Sequence, residues 1–196
     1  MNASEFGCGA GHELAITAAK VGWELTDFSE LTQSEDKCRQ VLSFLRGRAE
    51  IKSLEHIINC DVPVFVPNNW EVLPETEQLP NRVRGLVKFD PKKIILHLAN
   101  GQKGAKCIVG NELRLELAKE RVYTAHILDY LLRPENQHLI PEEWKGKAIF
   151  FWGTIYRDSG DLCVRCLYWF GGRWCWGCFW LVFDFRVGDP AAVSAS

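Results

Sequence analysis

Between Leu167 and Gly188 the chain reads LYWFGGRWCWGCFWLVFDFRVG, and few folds can accommodate such a run. Trp169, Trp174, Trp176 and Trp180 stand there together with Phe170, Phe179, Phe183, Phe185, Cys175 and Cys178. A strand half buried in a water-soluble domain alternates apolar with polar residues, because successive side chains point to opposite faces. This stretch barely alternates. Assigning one face to a core leaves large apolar groups over, and a surplus of that kind marks an interaction surface.

The length of 196 residues suffices for one domain with a substantial core plus a small appendage. A formal net charge of −2 removes electrostatic support for bulk nucleic-acid binding, so no nucleic-acid partner is expected. No apolar run reaches the eighteen residues that suggest a membrane span. The first thirty residues carry Glu5, Glu13, Glu24 and Asp27 without a basic start and an apolar core, which is not a secretory signal. The eight cysteines are therefore expected as reduced thiols in a cytoplasmic protein rather than as a disulfide framework.

Along the chain, Gly11 to Lys20 reads as a short helix on which Trp23, Leu25 and Phe28 pack. A clearer helix follows: Thr32 and Glu35 stand at capping-box spacing, Cys38, Val41, Leu42 and Leu45 form one stripe, and Gly47 closes it. Residues 55–59, 62–66 and 70–73 read as strand or loop, interrupted by Pro63, Pro67, Pro74 and Pro80. Val83–Phe89 and Lys93–Leu98 read as a hairpin about Asp90-Pro91-Lys92. Helices are expected at 112–120, with Asn111 as cap, and at 124–133, capped by Thr124. Residues 138–144 read as a loop entering one turn at Pro141. Three strands follow, 148–157, 162–169 and 173 to about 185, joined by Asp158-Ser159-Gly160 and Gly171-Gly172, and the tail from Asp189 is expected to be irregular.

Catalytic signals are poor. The five histidines are scattered without a paired-ligand spacing, no nucleotide or hydrolase motif occurs, and Glu142-Glu143 suits a helix start. No catalytic residue and no cofactor are expected. Cys163-Val-Arg-Cys166 and Cys175-Trp-Gly-Cys178 form two CxxC pairs, the spacing of a tetrahedral zinc site. The alternative function is thus a small zinc-stabilised module that binds nucleic acid or protein through Cys163, Cys166, Cys175 and Cys178. Against it, Cys163 and Cys166 lie within a strand-like run, LCVRCLYW, where residues three apart face opposite ways.

The run HLIPEEWKGKAIFFWGTIYRDSGDLCVRCLYWFGGRW, then Trp176, Trp180-Leu181 and the ending DPAAV, resembles the variable proteins of diversity-generating retroelements. In that family a reverse transcriptase copies a template repeat with errors at adenines and writes the copy into the 3′ end of the target gene. An AAC codon randomised at its adenines becomes NNC, which never encodes Trp, Lys, Glu, Gln or Met. Phe170, Cys175, Gly177, Cys178, Phe179, Val182, Phe183, Arg186, Val187, Gly188 and Asp189 all obey this restriction. Trp174, Trp176, Trp180 and Leu181 stand between them as a fixed frame, with Trp152 and Trp169 as further scaffold. Phe185 obeys the codon rule and is counted with the variable set, although a frame tryptophan is expected at its place.

The resemblance covers roughly residues 50–196, best in the last sixty. It implies an α+β architecture, specifically a C-type lectin-like fold with a small antiparallel sheet and two flanking helices. The expected arrangement is a helical N-terminal segment over 1–48 and the lectin-like domain over 49–196, its variable region at about 167–190. The RGGSW-like and GFR-like segments of better-known members are missing. Calcium-dependent sugar binding is not implied, because the tail lacks the acidic and amide ligand cluster calcium requires. The implied function is recognition of a protein target by exchangeable side chains on a fixed backbone.

Overall fold

The computed structural model describes residues 8–50, 55–104 and 106–195. The chain divides into two compact units, Met1–Leu54 and Glu55–Ser196.

The first unit is helical: α1 spans Cys8–Lys20, α2 Leu25–Thr32 and α3 Glu35–Leu45. The expected capping box is displaced. Ser34, not Thr32, caps α3, its Oγ accepting from the Lys37 amide at 3.2 Å, because Thr32 closes α2 instead. Helix α2 was not expected; Asp27 accepts from the Glu24 amide at 2.7 Å and so satisfies one of the donors that helix starts leave free. Val41, Leu42 and Leu45, the expected packing stripe of α3, are exposed.

The second unit mixes sheet and helix, so the α+β class is correct for it. Its main sheet runs in the order β4 (Ile94–His97), β10 (Ala191–Ser194), β6 (Ala148–Asp158), β7 (Asp161–Phe170), β8 (Arg173–Trp180), with β2 (Trp70–Val72) also paired to β6. All pairings are antiparallel except β10 with β6. Two small ladders accompany it, β1 (Ile57–Asn59) with β3 (Leu86–Lys88), and β5 (Ile108–Val109) with β9 (Asp184–Phe185). The strands β6, β7 and β8 form a meander on two tight turns. Ser159 and Gly160 have φ of 51° and 97°, and Gly171 and Gly172 have 58° and 80°, the left-handed values that two-residue hairpin turns need.

Helix α5 (Ala125–Leu131) covers one face, packing Ile127, Leu128 and Leu131 against Ile149, Phe151, Leu167 and Trp174. Helix α4 (Gly110–Leu117) covers the other, packing Leu113 and Leu117 among Phe150, Trp152, Val164 and Phe185. Every residue of β6 from Ile149 to Tyr156 is buried, which is why that strand does not alternate in sequence.

Three expectations are corrected here. Val83–Phe89 and Lys93–Leu98 do not form a hairpin: β3 pairs with β1 and β4 with β10. The Asp90 carboxylate accepts from the Lys92 amide at 3.0 Å and fixes a 3-10 turn that sends the two strands to different ladders. The third strand of the meander ends at Trp180, not near 185. The tail is a central strand: Ala191, Ala192 and Val193 are buried between β4 and β6, where small side chains fit beneath both helical layers.

Candidate functional site

The register of β7 and β8 sorts the aromatic stretch into two faces. Trp169 lies opposite Trp174, Leu167 opposite Trp176, Arg165 opposite Cys178 and Cys163 opposite Trp180, all on the face toward α5. Cys175, Gly177 and Phe179 lie opposite Tyr168, Cys166 and Val164 on the face toward α4. The apolar residues of the stretch are thus divided between two partly covered faces, and Phe170, Trp176, Val182, Phe183 and Val187 remain exposed.

The frame residues have structural surroundings. Trp152 and Leu181 are wholly buried and Trp174 nearly so, while Trp169 and Trp180 are half-buried. Trp176 is exposed at 39%, yet its ring stands 4.7 Å from the guanidinium carbon of Arg165. Arg165 is itself buried, holds Asp129 at 2.8 Å and faces the ring of Phe65 at 5.0 Å. A delocalised cation between two aromatic faces, paired to a carboxylate, fixes the position of β8 from below.

After Trp180 the chain forms a loop held by its backbone. The carbonyls of Leu181 and Phe183 each accept at 2.9 Å from the amides of Asn111 and Gly110, which open α4. These contacts replace the expected side-chain cap of Asn111. A Cβ on Gly110 would lie 2.6 Å from the Phe185 ring and 2.7 Å from the Leu181 backbone, so only glycine admits the loop at this distance. Next, residues 186–189 form a turn pinned from beneath by Gln102. Its Nε2 donates to the carbonyls of Arg186 at 3.0 Å and Asp189 at 2.9 Å, while its Oε1 accepts from the Ala99 amide at 3.1 Å. Because these anchors are main-chain groups, the side chains of Val182, Phe183, Arg186 and Val187 carry none of the attachment and all four are exposed.

Phe179, Phe183, Asp184, Arg186 and Asp189 line an open cleft of about 530 Å³. The rings of Phe179 and Phe183, 5.5 Å apart, form its apolar wall, and Asp184 with Arg186 supply charge of both signs. Asp184 was not among the expected residues, although its type obeys the same codon restriction. Gln102 was missed for a different reason, since it contacts residues 84 and 87 positions away.

Other expected site residues lie elsewhere. Phe185 is wholly buried, its ring 5.0 Å from Phe150 and 5.1 Å from Trp152; it is a core residue and not a contact residue. Cys178 lies on the opposite face of β8 from Cys175 and Phe179. The Asp189 carboxylate accepts from the Arg186 amide at 2.9 Å and so stabilises its own turn. Phe170 is exposed at the hairpin tip, about 20 Å from Phe179 along β8 at ~3.4 Å per residue. Gly188 lies half-buried in the turn and its carbonyl accepts from the Ala148 amide.

The tetrathiolate alternative fails on geometry. Cys163 and Cys178 share one face, Cys166 and Cys175 the other, so the four sulfurs do not converge on one ion. Among the described residues no group of three or more histidine, cysteine or acidic side chains is placed to hold a metal. Burial also pushes the Cys163 and Cys166 thiols up to about 12, which disfavours the thiolate form that zinc requires. No helix among the described residues is long and apolar enough to cross a membrane. Comparison with family models, with curated proteins and with solved structures finds no match to this chain.

Proposed function

We propose that this chain is a binding protein whose C-terminal surface is diversified by retroelement-directed adenine mutagenesis, and that it recognises a protein target without catalysing a reaction. In this reading the Glu55–Ser196 unit is a C-type lectin-like scaffold. The supporting observation is the split within the tail: Val182, Phe183, Arg186 and Val187 face solvent on a loop held by backbone hydrogen bonds, while Trp152, Trp174, Leu181 and Phe185 are buried. A surface built this way changes its contacts without changing its core. The present set, dominated by Phe and Val, suits an apolar patch on the target, with Arg186 and Asp184 selecting charged groups at the rim.

Sequencing the surrounding locus tests this reading. A reverse-transcriptase gene is expected nearby, with a repeat nearly identical to the 3′ end of this gene that carries AAC at the codons for Val182, Phe183, Arg186 and Val187. A repeat without adenines at those codons, or no such cassette in the genome, overturns it.

A further inference from the structure

Asn100-Gly101 is the one asparagine–glycine pair in the chain, and it opens a single 3-10 turn, Asn100–Gln102, between β4 and β5. Asparagine in this setting is labile, because the next amide nitrogen can close a five-membered ring on the side-chain carbonyl carbon. Glycine presents that nitrogen with no side chain in the way. Packing favours the glycine, since a Cβ on it would lie 2.9 Å from the Cβ of Ile108. Asn100 is exposed, so water reaches its amide. The Gly101 amide donates to no carbonyl among the described residues, which leaves the nucleophile unengaged. The Lys103 ammonium donates to Asn100 Oδ1 at 3.1 Å, the atom on which attack gathers negative charge. The bond from the Lys103 amide to the Asn100 carbonyl is 3.4 Å long, so this side of the turn yields readily when the Asn100 backbone rotates toward ring closure.

The next residue gives the position a consequence. Gln102 is buried, and its side chain joins this turn to the candidate site: Oε1 accepts from the Ala99 amide, and Nε2 donates to the carbonyls of Arg186 and Asp189. The bond to Ala99 spans Asn100 and Gly101. Any change in main-chain length between those two residues therefore displaces Gln102 from the partners it holds.

We propose that Asn100 is a site of spontaneous deamidation, and that isoaspartate formed there releases the turn at residues 186–189. The inference is independent of the retroelement reading, since it uses only the Asn100–Lys103 segment and the bonds of Gln102. The Gly101 nitrogen attacks Cγ of Asn100 and gives up its proton to water, while the carbonyl electron pair moves onto Oδ1. That pair returns as the bond from Cγ to Nδ2 breaks, and Nδ2 takes a proton from water and leaves as ammonia. Water then opens the cyclic imide at either carbonyl. Opening at the main-chain carbonyl of residue 100 leaves the backbone running through Cγ, one carbon longer, as isoaspartate. Opening at Cγ restores the ordinary backbone with aspartate at position 100, whose carboxylate pairs with Lys103 and leaves Gln102 in place. The net change in both cases is an amide and water converted to a carboxylate and ammonium.

The test ages the folded full-length chain in mildly alkaline buffer and follows each asparagine by peptide mass spectrometry that distinguishes isoaspartate from aspartate. Conversion is expected at Asn100 well ahead of exposed Asn68 and Asn69, and Lys103→Met is expected to slow it several-fold. Hydrogen exchange of the aged chain is expected to show faster exchange at residues 186–189 in the isoaspartate form. Asn100→Asp, which supplies the charge without the extra carbon, is expected to keep the slow exchange of the fresh chain. A folded chain that retains Asn100 while the urea-unfolded chain converts overturns the proposal. So does an isoaspartate form whose residues 186–189 exchange as slowly as those of Asn100→Asp.

Discussion

Phe183 and Phe185 are two residues apart and have opposite surroundings, one half exposed on the cleft and the other wholly buried among aromatic rings. Phe185→Ala removes a packed ring and is expected to lower stability by roughly 3–5 kcal/mol. Phe183→Ser and Val187→Ser are expected to stay within about 0.5 kcal/mol, as exposed substitutions do. Urea denaturation of the three variants measures both. Gln102→Ala leaves the partly buried carbonyls of Arg186 and Asp189 without their donor, at about 0.5–1.5 kcal/mol for each hydrogen bond lost. Faster amide exchange confined to residues 186–189 would identify the turn as the part released. Cysteine chemistry separates likewise. Cys38 and Cys107 are exposed and are expected to react with a thiol reagent at neutral pH, whereas buried Cys163 and Cys166 are protected. Burial raises these two thiols from an ordinary 9.0 to about 12, so the folded state keeps protons that the unfolded chain releases. Their contribution to stability is therefore complete below pH 9 and is lost as pH rises toward 12. Burial likewise pushes the Tyr156 hydroxyl up from 10.0 to about 12, adding to the same alkaline loss. A Cys163→Ala/Cys166→Ala double variant is expected to show a shallower fall of the urea midpoint between pH 9 and 11.

At the level of elements, the contact between α4 and the loop after β8 carries the site. Gly110→Ala drives a methyl group into the Phe185 ring and the Leu181 backbone, and a loss of roughly 1–3 kcal/mol is expected from thermal denaturation. Should Gly110→Ala instead leave the midpoint unchanged, the close approach drawn here would be wrong. These elements also show what was legible in the sequence. The meander from Ala148 to Trp180 was readable, because its turns carry Ser-Gly and Gly-Gly and its strands are rich in β-branched and aromatic residues. Helices α4 and α5 were readable from the spacing of Leu113 with Leu117 and of Ile127 with Leu128 and Leu131. The tail strand was not, since Ala191-Ala192-Val193 has little local β preference and becomes a strand only between β4 and β6. The pairings of β3 and β4 were hidden for a related reason: local turn chemistry says where a strand stops, not which distant strand receives it. In the site itself, codon restriction marked Val182, Phe183, Arg186 and Val187, which lie on the surface, but could not distinguish Phe185, whose burial is a tertiary property.

Across the Glu55–Ser196 unit, helices α4 and α5 pack on the two faces of the main sheet, and the surface proposed above as exchangeable lies at the end of β8 and in the loop that follows. Under the proposed function one short segment would change while the strands and helices that support it stay constant. The central claim is that the tail comprises a fixed frame and a set of free positions. A pair of libraries tests it most directly, one randomising Val182, Phe183, Arg186 and Val187 with NNC codons, the other randomising Trp152, Trp174, Leu181 and Phe185. The measurement is the fraction of displayed variants that resist proteolysis. Most members of the first library are expected to remain folded and most of the second to be lost; equal losses in both would contradict the account.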